Sequence, residues 1–172
     1  MGSPPRTNME YEIKPYEEKY AEKVARLGEE FMDFLIPLDF ESRLRRTPEY
    51  GKFSLERKVK RLGPQTAFYV ALVRTEPVGF VFGAMDPTPP PQAWYGMHPY
   101  TQGTGEELYV KPEYRGKGIG RALMQKVEEF FRQNNCEYIS ISVLAFNKDA
   151  AALYERLGFH PRGVVLSKKL AK

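Results

Sequence analysis

Two carboxylates, a phenol, an amide and a basic glycine turn are the groups whose types and spacing could do chemistry in this sequence. Glu106 and Glu107 stand side by side before Leu108-Tyr109-Val110, a run that fits a buried strand carrying two acids. The chain then reads Arg115-Gly116-Lys117-Gly118-Ile119-Gly120-Arg121 and passes into an amphipathic stretch. Glycine lets the backbone approach a ligand closely, and the first N–H groups of a helix lack intrahelical partners. A glycine turn that opens a helix therefore offers donors to an anion, and Arg115, Lys117 and Arg121 add charge of the sign a phosphate needs. Farther on, Asn147 and Tyr154 are seven residues apart. That spacing is nearly two helical turns, so an amide and a phenol share a face with Ala150 and Ala151, which are small enough to admit a chain.

Two familiar nucleotide cradles fail on spacing. A dinucleotide fingerprint begun at Gly116 or Gly118 needs glycine where Arg121 or Leu123 stands, and no G-x-x-x-x-G-K-[ST] run occurs. What fits is Arg115-x-x-Gly118-x-Gly120 directly after a strand.

The elements that must position these groups follow from periodicity. Met9 to Lys14 reads as a first strand, and a helix begins at Pro15 and ends near Gly28, with Tyr20, Val24 and Leu27 at helical spacing. Phe31, Phe34, Leu35, Ile36 and Leu38 extend that apolar surface to Pro37. A second helix fits Ser54 to Leu62 with Leu55, Val59 and Leu62 inward. Thr66 to Arg74 and Val78 to Met85 read as a hairpin, with Gly79 and Gly83 marking a bulge or a close backbone approach. The proline-rich stretch Asp86 to Thr104 cannot be a regular element, and its aromatic residues argue for a packed loop. After the glycine turn, Ile119, Leu123, Val127 and Phe130 form one helical face, and the helix ends at Asn134-Asn135. Tyr138 to Leu144 alternates as a strand, Asn147 caps a helix through Leu157, and Phe159 to Leu170 supplies the last strand material. Strand, helix and strand from Glu106 to Leu144 make a βαβ unit with parallel strands, whereas the hairpin before it makes the sheet mixed.

The 172 residues fall within the range of one domain, residues 9–172, behind a disordered leader at residues 1–8. A net charge of +4 identifies no partner, although Arg43 to Arg61 carries eight basic side chains against only Glu49 and Glu56. That segment reads either as a solvated helix face or as an attractor of acidic substrate or nucleic acid. The single cysteine, Cys136, excludes an intrachain disulfide and suits a reducing compartment, so a cytoplasmic location is expected. No apolar run approaches a membrane span, and no membrane partner is expected. No His/Cys/Asp set has metal-ligand spacing, so no metal is expected; His98 and His160 read as surface residues.

The strand Glu-Leu-Tyr-Val followed by Arg115-x-x-Gly118-x-Gly120 resembles the acetyl-CoA-binding motif of the GNAT superfamily of N-acetyltransferases. Asn147 to Phe159 resembles that family's second signature, N-x-x-A-x-x-x-Y-x-x-x-G-F, in the expected order and separation. The resemblance covers Glu106 to Phe159. It implies an α/β (α+β) fold: a mixed, mostly antiparallel sheet of six to seven strands with a central parallel splayed pair and flanking helices. It also implies acetyl-CoA as cosubstrate, with the acetyl group passing directly to a primary amine of a small molecule or peptide. By the same resemblance, the backbone amides of Gly116, Lys117, Gly118, Ile119, Gly120 and Arg121 hold the CoA pyrophosphate, with Arg115 beside them. Leu108, Tyr109 and Val110 pair with pantetheine, and the Val110 N–H polarises the thioester carbonyl. Asn147 and Ala150 line the pantetheine arm, and Tyr154 protonates the departing thiolate. The polyamine acetyltransferase branch carries an acidic pair at these strand positions, which makes Glu106 a base acting through water and Glu107 a substrate contact. The period of two places the pair on opposite strand faces. Nucleic acid is disfavoured as a partner, a homodimer is left open, and a CoA-binding module without turnover is the competing reading.

Overall fold

The computed structural model describes residues 9–87, 89, 96 and 98–170. Among them are five strands and four α-helices: β1 (Glu12–Pro15), α1 (Ala21–Leu35), α2 (Tyr50–Val59), β2 (Thr66–Val73), β3 (Glu76–Met85), β4 (Gln102–Val110), α3 (Ile119–Gln133), β5 (Tyr138–Ile141) and α4 (Lys148–Arg156). The strands form one sheet in the order β1-β2-β3-β4-β5, antiparallel throughout except for the parallel β4–β5 pair. β2 and β3 are apolar on both faces because both are covered. On one face α1 and α2 pack Val24, Leu27 and Leu55 against Phe68, Val70, Phe80, Phe82 and Tyr109. On the other, α3 packs Ile119, Leu123, Met124, Val127 and Phe131 against Val78, Val81 and Val110.

The first helix starts later than expected and runs past its expected stop. Pro15 pairs with Tyr69 and Tyr16 N donates to Phe68 O at 2.9 Å, so the chain stays extended through both residues. Proline is tolerated there because β1 is an edge strand. Gly28 is a packing contact rather than a helix terminator: a Cβ built on it lies 3.8 Å from Gly51 Cα of α2. α2 itself begins at Tyr50 rather than Ser54, and Phe131 rather than Phe130 fills the core position of α3. Gly79 and Gly83 do mark close approaches, since an added Cβ would meet Tyr109 O at 2.6 Å and Thr104 O at 2.9 Å.

Two expectations about the sheet are corrected. The sheet has five strands among the described residues, not six to seven, and the parallel pair lies at its edge rather than at its centre. The cause is the stretch from Phe159 to Leu170, which forms no regular element. Within it Val164, Val165 and Leu166 remain 82–95% exposed. β5 also stops at Ile141 instead of Leu144, at the residue where its pairing with β4 ends. Trp94 and Tyr95 of the proline-rich stretch lie outside the described residues.

Candidate active site

The opening between β4 and β5 organises the site. Gln102, Gly103, Thr104 and Gly105 pair with Tyr138, Ile139, Ser140 and Ile141, and there the ladder ends, while β4 continues to Val110. Lys111 N donates to Val78 O at 2.9 Å. Because alternate residues of an antiparallel pair exchange both bonds, Tyr109 and Glu107 face β3, and the backbone groups of Leu108 and Val110 turn to the open side. Of the three residues expected to offer backbone here, Leu108 and Val110 are in position and Tyr109 is not. An unpaired stretch of strand edge presents donors and acceptors that an extended, amide-bearing chain can satisfy.

The glycine turn closes one end of this opening. Gly116 and Gly118 have φ of 73° and 88°, the left-handed region where only glycine is free of strain, and Gly118 is the N-cap of α3. Arg115 N donates to Pro112 O and Ala122 N to Gly118 O. Between them, the six N–H groups of Gly116, Lys117, Gly118, Ile119, Gly120 and Arg121 have no acceptor among the described residues. A run of orphan donors at a helix start suits a polyanion such as pyrophosphate. The three cations are not equivalent. Arg115 donates to Val110 O at 2.9 Å, and its guanidinium stacks 4.4 Å from the Phe34 ring and 5.6 Å from that of Tyr109. It ties the turn to β4 and α1 and is not a free charge. Lys117 bonds Glu113 O at 2.8 Å, and exposed Arg121 has no protein partner among the described residues.

α4 meets the same place from the other side. A Cβ on Gly120 would lie 3.4 Å from Leu153 and 4.0 Å from Val110, so strand end, glycine turn and α4 converge on that residue. Asn147 is the N-cap of α4, its Oδ1 accepting from Ala150 N at 3.2 Å; the cap occupies the amide oxygen and leaves Nδ2 to donate. Tyr154 packs edge-on against Phe159 with centroids 5.7 Å apart, and its hydroxyl has no protein partner among the described residues. Burial alone pushes this phenol up to about 12. It therefore stays protonated at every physiological pH and keeps an O–H donor at this place.

The acidic pair departs most from expectation. A register shift at Phe82/Gly83 makes Glu106 a bulge residue, with Glu107 opposite Phe82 and Gly105 opposite Gly83. Both carboxylates consequently reach the α2 side instead of opposite faces. Glu106 is held by the two terminal guanidinium nitrogens of Arg61, at 2.6 and 2.7 Å. Glu107 pairs with Lys58 at 2.8 Å and with Arg57 at 3.5 Å. The Glu107–Lys58 pair is buried, at 10% and 3% exposure, and Lys58 also donates to Ser54 Oγ at 2.7 Å. Burial pulls the Lys58 ammonium below its ordinary value, and Glu107 opposes that shift. These cations were legible only as part of a basic segment. The signal that could have singled them out is two adjacent acids on a strand facing a helix with Arg57, Lys58 and Arg61 at one-turn spacing.

A second polar group had no sequence signal. Thr104 Oγ1 and Gln102 Nε2 each donate to Asp86 at 2.7 Å, and both contact Ser140 Oγ, at 3.1 and 3.2 Å. His98 and His160 are exposed, and Cys136 is half-buried. Among the described residues no three His, Cys, Asp or Glu side chains could hold a metal ion, and no helix is long and apolar enough to cross a membrane.

Comparison with known proteins fits this geometry. Residues 26–159 match the model of the Acetyltransferase (GNAT) family. The chain is 32% identical over 128 residues to a thialysine N-epsilon-acetyltransferase of Bos taurus, covering 67% of this chain and 73% of that protein. Its fold matches a tetramutant of the BH1408 protein of Bacillus halodurans with a TM-score of 0.79 at 20% identity, over 92% of this chain and 99% of that one. It also matches AAC(6')-Iy in complex with a CoA-linked bisubstrate analogue, with a TM-score of 0.70 at 13% identity, over 95% and 99% of the two chains. The chain belongs to the acetyltransferase (GNAT) family and is an N-acetyltransferase.

Proposed function

We propose that the protein transfers the acetyl group of acetyl-CoA to a primary amine by direct attack in a ternary complex. The observation that carries this reading is the run of six N–H groups without an acceptor among the described residues, beside the stretch of β4 that β5 leaves open. The N–H groups of Gly116 to Arg121 bind the pyrophosphate, with Arg121 supplying free positive charge. The edge N–H and C=O of Leu108 pair with the pantetheine amides, the Val110 C=O being taken by Arg115, while Asn147 donates from Nδ2 and Ala150 leaves room for the arm. Acetyl-CoA supplies the activated acetyl group. The Val110 N–H donates to the thioester oxygen, where charge develops during attack. The new N–C bond forms, the C–S bond breaks, and sulfur takes the Tyr154 proton. The acceptor ammonium gives up two protons, one of which restores the phenol. Glu106, at 27% exposure, is reachable by water and is the base once Arg61 releases it. Glu107 is held by buried Lys58 and serves to anchor α2 on β4.

The engagement of both carboxylates by cations favours one other reading, a CoA-binding module without turnover. A panel of amines assayed by thiol release from acetyl-CoA separates the two. Acetyl-CoA at 100 times its Kd is expected to stabilise the fold by roughly 2.7 kcal/mol. No thermal shift at millimolar acetyl-CoA would sink both readings, and a shift without thiol release from any amine would leave the module.

A further inference from the structure

We infer that Arg61 selects the acceptor, and that the site takes an amine bearing its own carboxylate by exchanging partners with the Arg61–Glu106 pair. The inference rests on the transfer reaction proposed above and specifies its substrate class.

The two ion pairs on the α2 side of β4 differ in kind. Lys58–Glu107 is buried, and Lys58 is further held by Ser54 and lies 5.5 Å from the centre of the Phe80 ring. Opening it would leave an uncompensated buried charge, so it stays closed. Arg61–Glu106 is open to solvent, at 40% and 27% exposure, and joins two oxygens to two nitrogens. It sits on the bulge where the β4–β5 opening begins. An acceptor ammonium that reaches Glu106 must displace this guanidinium.

What happens next depends on the acceptor. A simple amine would take Glu106 and leave Arg61 without an anion. An amine with its own carboxylate replaces one pair by two, ammonium with Glu106 and carboxylate with Arg61. No charge is then orphaned, and a guanidinium fork matches a carboxylate in two bonds.

Space and anchoring agree with this. A cavity of about 270 Å³ is lined by Arg61, Gly63, Pro64, Gln65, Thr66, Ala84 and Met85, and Arg61 is the one charged residue among these. One water needs only about 10–15 Å³ of such space, so there is room for the carboxylate end of an amino acid. The Arg61 guanidinium lies 5.1 Å from the centre of the Phe82 ring, so it keeps a seat when Glu106 leaves. The turn beneath it is tied by Thr66 Oγ1, which donates to Arg61 O at 3.2 Å and accepts from Gly63 N at 3.0 Å.

The test compares L-lysine with cadaverine, its decarboxylated counterpart, and 6-aminohexanoate with hexylamine, by kcat/KM from thiol release and by calorimetric binding without acetyl-CoA. The carboxylate-bearing member of each pair is expected to be favoured roughly ten- to hundredfold, the range of a charge-assisted contact. Arg61→Gln should bring both ratios near one while keeping the acetyl-CoA thermal shift, and Arg61→Lys should retain part of the preference. Wild-type preference for cadaverine and hexylamine, or ratios unchanged in Arg61→Gln, would overturn the inference and leave the transfer reaction standing. An acetyl-CoA thermal shift without thiol release from any amine would overturn the transfer reading and this inference with it.

Discussion

Replacing Tyr154 by Phe is expected to lower kcat by about a hundredfold or more, the usual scale for loss of a positioned proton donor. The acetyl-CoA Kd should change by less than about twofold, because the substitution keeps the ring and its edge-on contact with Phe159. The Tyr154 hydroxyl has no protein partner among the described residues, so its removal strands no buried group. Steady-state kinetics and calorimetric titration of both proteins check this. A large loss of acetyl-CoA binding with turnover otherwise intact would make Tyr154 a packing residue. The pH profile provides a second check. With the phenol pushed up to about 12, Tyr154 loses its proton only toward that pH, so wild-type activity should show no Tyr154-linked decline between pH 7 and about 10. The folded value exceeds the ordinary 10.0, so this group's contribution to stability is intact below about pH 10 and is lost as pH rises toward 12.

The second large effect is on stability. Lys58→Ala is expected to destabilise the fold by about 3–5 kcal/mol, because Glu107 would lose its main partner while buried. Lys58→Met combined with Glu107→Leu should recover most of that loss, since apolar side chains of similar volume remove both charges together. Urea denaturation of the wild type and both variants measures the difference. A single variant within about 0.5 kcal/mol of wild type, the range of ordinary surface substitutions, would mean that the pair does not hold α2 on β4. The two predictions are independent in place and readout, one on α4 and the other between α2 and β4.

Glu106 and Glu107 show why part of the site was hidden. In a regular strand, adjacent residues face opposite ways, and nothing in Gly105-Glu106-Glu107 specifies a bulge. The bulge arises where β4 must pair with β3 across Gly83 and meet β5 at Gly105 at once, a condition set by three strands together. Arg61 and Lys58 then reach the pair from 45 and 49 residues away. Local patterning could read those cations only as one face of a basic helix. Arg115 is a parallel case: its charge suggested a phosphate contact, and only the packing of α1 against β4 put Phe34 and Tyr109 around it.

What the sequence by itself determined is local. Positive φ at Gly116 and Gly118 is available to glycine without strain, so the turn and its exposed N–H groups are written into residues 115–121. Asn147 is a helix cap by residue type and position, and the spacing to Tyr154 follows from helix geometry. The family signatures coincide with these short-range constraints, which is why they could be read from one chain. Tertiary structure alone decided how far β4 and β5 stay paired, on which face the carboxylates lie and which cations hold them. It also left Phe159 to Leu170 outside the sheet. Each of those outcomes depends on competition among segments distant in the chain for the same edge, face or countercharge, and no local pattern records who wins.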